Sequence, residues 1–152
     1  HYNAEAQTYL QKIEIWIKET VKDSLFQQYG DNWEILALPR TIYKKAKGIS
    51  DDKNYANIQS GNTSNIVSIW DCITLKDCKE IISYRTHWSE LFESLLTRPE
   101  DVKISGGKAA KTSWIEQVSS LQNKLLTKQN FSVSSDDFAF IKSVYDWISS
   151  EQ

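Results

Sequence analysis

The sequence predicts an all-α fold: one domain, residues 1–152, built as a bundle of roughly five to seven helices. Three observations carry that prediction. Apolar residues recur at spacings of three and four through most of the 152 residues, and the first long segment shows no alternation with period two. Five Gly and two Pro are too few for a turn-rich sandwich. Helix start and stop signals accompany several of the periodic runs, such as Gly30 after the first and Ser134 with Asp137 before the last.

The first helix is expected from the stripe Leu10, Ile13, Ile17, Val21 and Leu25, widened by Trp16 and Phe26. Asn3 is a candidate cap at its start, and Gly30 should end it. Trp33 to Lys47 reads as a second helix in which Pro39 either opens a new segment or introduces a kink. Leu36, Ile42 and Ala46 should supply its buried side, and Gly48 should stop it. Ile49 to Asn65 is rich in Ser, Asp, Asn and Gly and reads as a long surface loop. Loops of that length are uncommon in compact domains, so part of it could be helical. Ile66 to Ile73 is β-branched, and a turn leading into the next helix suits the helical context better than a strand. Thr74 with Asp77 forms a capping-box pattern for a helix through Leu75, Cys78, Ile81 and Ile82, ending near Tyr84. Trp88, Leu91, Phe92, Leu95 and Leu96 form the next amphipathic segment, closed by Pro99. After Gly106-Gly107 comes a stripe of Ala110, Trp114, Val118, Leu121 and Leu125. Ser134 with Asp137, flanked by Val133 and Phe138, is the best start signal in the chain and opens the last helix. The last two helices should pack antiparallel, since the loop between them is short.

Composition excludes several function classes. Hydrophobic residues make up 40% and charged residues 25%, as in ordinary globular domains. The formal charge of −2 gives no global attraction to nucleic acid, so such binding would need a local basic patch. No apolar run reaches the roughly 18–20 residues needed to span a bilayer, and no membrane partner is expected. Cys72 and Cys78 match no common zinc or redox spacing, and with two His in the chain no metal site and no cofactor is expected. Both read as ordinary thiols in a reducing, cytoplasmic setting. The chain lacks Met, which suggests a domain excised from a larger protein, with His1 as a tag remnant.

The most specific stretch runs from Trp114 to Trp147. It holds Gln122-Asn123, then Thr127, then a polar loop and the Ser134-capped helix. This run resembles the C-terminal helix pair of HEPN domains, a helical family with many RNA-cutting nucleases, often fused to ATPases or other large bacterial proteins. A weaker likeness extends over the N-terminal helix, Trp33 to Pro39, Trp70 to Ile82, and Trp88 to Phe92. Active members carry an Arg-Asn pair followed about one turn later by His. This chain keeps Asn123 but has Gln122 for the Arg and Thr127 for the His. The resemblance thus implies the scaffold without the chemistry. Strand cleavage by 2′-OH attack needs a proton-transfer group and a cation for the charged phosphorane. Gln122 cannot neutralise phosphate, and Thr127 does not titrate near neutrality.

The remaining candidates are weaker. Asn123 either orients a neighbour or partner backbone, or is an exposed polar residue. Lys124, Lys128, Lys108 and Lys111 are candidate nucleic-acid contacts, although basic runs, including Lys44, Lys45, Lys47 and Lys103, are usually solvated faces. His87, beside Trp88, reads first as structural and second as a displaced catalytic group acting with Lys124. Ser105-Gly106-Gly107-Lys108 fails as a phosphate loop: the upstream Gly is missing and Ala109 follows the Lys. Asp51-Asp52 and Asp136-Asp137 suit loop solvation and capping better than metal binding. The resemblance implies a non-catalytic interaction or dimerisation module of a larger prokaryotic defence or nucleic-acid-metabolism protein. Its partner would be a second copy or another protein, with RNA or DNA as a further candidate. The alternatives are a metal-independent ribonuclease using displaced residues and a helical protein-binding domain unrelated to nucleic acid. A basic cleft at Gln122 to Lys128 would favour nucleic acid, and an apolar patch there would favour protein.

Overall fold

The computed structural model describes residues 1–151, and these form an all-helical bundle with no strand. Helix α1 (Asn3–Tyr29) is its axis. Its 27 residues span about 40 Å at 1.5 Å per residue. Ala6, Leu10, Ile13, Ile17, Val21 and Leu25 form one fully covered stripe along it. Gly30, at φ +74°, ends the helix and opens a 3₁₀ turn. Asn3 does not cap α1, as the sequence suggested. It is the first helical residue, and its amide donates to the Phe131 carbonyl while its side-chain oxygen accepts the Val133 N–H. It ties the start of α1 to the distant loop before the last helix instead.

Helix α2 (Trp33–Ala37) is short, and Pro39 immediately precedes α3 (Arg40–Gln59). Pro39 therefore opens a helix rather than kinking one. Leu36 is exposed, and Leu38 takes the buried position expected of it. The larger correction is at Gly48. The helix passes through it and absorbs most of the expected loop, leaving only residues 60–69 between α3 and the next turn. The stripe Ile42, Ala46, Ser50 continues past Gly48, so burial on one face offsets the roughly 1 kcal/mol that glycine costs a helix. Beyond Ser50 the exposed end is held by side chains. Asn54 donates to the Val67 carbonyl and accepts its N–H, and Asn57 donates to the Asn65 carbonyl.

A 3₁₀ turn (Trp70–Cys72) leads into α4 (Leu75–Ser83). The Thr74–Asp77 capping box is present in both directions. The segment after it departs from a regular helix. Trp88–Phe92 is a π turn that runs into α5 (Glu93–Leu96). Trp88, Phe92 and Leu96 point inward at spacings of four, whereas Leu95 is exposed.

Helix α6 (Gly107–Lys111) abuts α7 (Ser113–Thr127), and α8 (Ser135–Ser150) closes the chain. Trp114, Val118, Leu121, Ile141 and Val144 are buried, while Leu125 and Phe138 are half-buried. Helices α7 and α8 run antiparallel as expected, but they do not pack chiefly on each other. Both lie on α1. Tyr2 stacks on Phe138 at 4.6 Å, Tyr9 meets Tyr145 at 4.6 Å, and Trp16 meets Trp147 at 5.7 Å. The rising numbers on both helices show that α8 runs parallel to α1. The direct bridge from α7 to α8 is the edge contact of Trp114 with Trp147 at 5.4 Å.

Ser134 caps α8 as expected, its hydroxyl accepting the Asp137 N–H at 3.0 Å. Ser134→Ala should lower stability by about 1 kcal/mol. Urea titration should show a lower midpoint with an unchanged slope, whereas Ser134→Asp should restore the midpoint.

Candidate functional site

A groove of about 1110 Å³ lies between α4 and α7. Glu14 and Lys18 of α1, with Ile49 and Lys53 of α3, form its far side. Its floor is apolar: Ile73, Leu75 and Ile115 are buried there. Its α7 lip carries Ser119, Gln122, Asn123 and Leu126. Of the motif positions singled out in the sequence, Gln122 and Asn123 thus border the groove, whereas Thr127 lies outside its lining.

Their chemistry is quiet. The Gln122 amide donates to Glu14 Oε1 at 2.7 Å. Thr127 donates its hydroxyl to the Asn123 carbonyl one turn back, at 2.8 Å. Asn123 is exposed. Leu126 is 70% exposed, the highest value among the large apolar side chains. The lip therefore offers an apolar side chain and an amide beside a carboxylate, with no basic cleft.

The four expected lysine contacts do not form one patch. Lys124 lies over the Phe131 ring at 5.8 Å, near the start of α1. Lys128 is exposed just beyond α7. Lys108 donates to the Ser83 carbonyl, and Lys111 pairs with Glu93 at 3.3 Å. Those last two serve the packing of α6 on α4 and α5. Lys45 and Lys47 are likewise engaged, with Asp77 and Asp51.

His87 is buried. Its Nε2 lies 2.8 Å from the Ala37 carbonyl, and its Nδ1 lies 3.5 Å from the Tyr29 hydroxyl. It joins the ends of α1 and α2 to the π turn. Lys124 lies towards the opposite end of α1, so the displaced pair of His87 with Lys124 is not assembled in this fold. Both cysteines are free and buried, and burial pushes the Cys78 thiol up to about 12. No cluster of three or more His, Cys, Asp or Glu side chains placed to hold a metal occurs among the described residues. No helix among them is long and apolar enough to cross a membrane.

The groove contains cations that the sequence reading missed. Lys18, Lys53 and Lys76 line it and form no ion pair among the described residues. They come from three helices, so no local run signals them. Lys18 lies over the Trp70 ring at 5.8 Å. The nearby Asp71 carboxyl is held below its ordinary range, first by the Ser68 backbone N–H and then, against the cost of burial, by the Ser68 hydroxyl and by Lys18 and Lys22.

No family model, no curated protein and no solved structure matches the chain.

Proposed function

We propose that this chain is a non-catalytic, HEPN-like interaction module of a larger prokaryotic defence or nucleic-acid-metabolism protein, and that its α7 lip contacts a protein partner. The supporting observation is the state of the motif face. Gln122 is engaged with Glu14 and Thr127 with its own backbone, while Leu126 projects into solvent at the groove edge. That face holds no titrating group near neutrality and no free cation aligned with one, so it lacks the two functions that strand cleavage requires. The exposed leucine, the amide and the groove beside them support a contact role for this face instead. The partner is a second copy of the chain or another polypeptide.

The ribonuclease alternative needs His87 as its base. That ring is covered and lies at the wrong end of α1. Labelled single-stranded RNA incubated with the purified chain between pH 6 and pH 8 (roughly the range in which imidazole titrates) should remain intact. Cleavage that survives in the Gln122→Ala, Thr127→Ala double variant and disappears in His87→Ala would overturn the non-catalytic reading. Sedimentation equilibrium of the chain and of Leu126→Asp then tests whether the partner is a second copy. A dimer that the substitution dissociates would establish self-association through the lip.

A further inference from the structure

We draw no further inference here: the strongest candidate, the groove between α4 and α7, is lined by four lysines and four carboxylates that select no charged occupant, and nothing in the structure shows what covers it.

Discussion

Trp114→Ala should destabilise the fold by about 3–5 kcal/mol, the range for deleting a fully buried indole. Trp114 is completely covered. Its ring meets the edge of Trp147 and forms the direct link between α7 and α8. Its indole N–H donates to the Leu96 carbonyl at 3.0 Å. That carbonyl belongs to the last residue of α5, where helix geometry leaves acceptors without an internal partner. Truncation therefore opens a cavity and strands a buried acceptor in one step. Trp114→Phe keeps much of the volume and loses the N–H, so it should cost about 1–2 kcal/mol. Equilibrium urea denaturation followed by circular dichroism measures both. A loss below about 1 kcal/mol for the alanine variant would mean that the α7–α8 end is not part of the cooperative core.

Trp114 also marks how far the sequence could be read. Its place on an inward stripe followed from the spacing to Val118 and Leu121, because a period near 3.6 has one physical solution when one face must be buried. Capping was equally legible at Thr74 and Ser134, since a hydroxyl satisfying an N–H three residues on is a local event. Gly48 misled because its cost is local, whereas the burial of Ala46 and Ser50 that outweighs it is tertiary. Asn3 misled for a related reason: a good cap residue found a better use in residues some 130 positions away. The π turn at Trp88–Phe92 had no visible signal, because an apolar segment with spacings of three and four reads as a regular helix.

The site divides in the same way. Local chemistry showed that Gln122 and Thr127 lack the charge and proton transfer of a nuclease. That Gln122 would be held by Glu14, or that Leu126 would stand at the edge of a groove, depends on α1 lying alongside α7. Lys18, Lys53 and Lys76 are unremarkable solvated residues until three helices bring them to one concavity. Among the lysines that did stand out as runs, Lys45, Lys108 and Lys111 tie one helix to another, as Lys45 does with Asp77.

Asp77→Ala should cost about 2–3 kcal/mol at neutral pH, because one carboxylate does three jobs. It is almost fully covered at the third position of α4. Oδ2 accepts the Thr74 N–H at 3.0 Å, which closes the capping box, and Oδ1 takes the Lys45 ammonium at 2.6 Å, which joins α3 to α4. Its negative charge also faces the positive end of the α4 dipole. Lys45 is half exposed, so the ion pair contributes less than a fully buried one would. Burial of Asp77 opposes its ionisation, but Lys45, the Thr74 N–H and the Thr74 hydroxyl outweigh that cost and hold the carboxyl below its ordinary value of 3.8. A folded-state value below the unfolded one means that the unfolded chain binds the proton more readily. The contribution is thus complete above about pH 4–5 and is lost as pH falls through the depressed folded value. Asp71 is shifted in the same direction, whereas burial raises Glu34, whose ionisation therefore opposes folding as pH rises. Stability of the parent chain alone would mix all three. The stability difference between the parent and Asp77→Asn, measured by urea titration from pH 7 down to about pH 2.5, removes the two common contributions. That difference should be flat near neutrality and shrink on acidification below the ordinary aspartate value. A difference that stays constant throughout, or grows as the pH falls, would mean that the α3–α4 junction does not depend on an ionised Asp77.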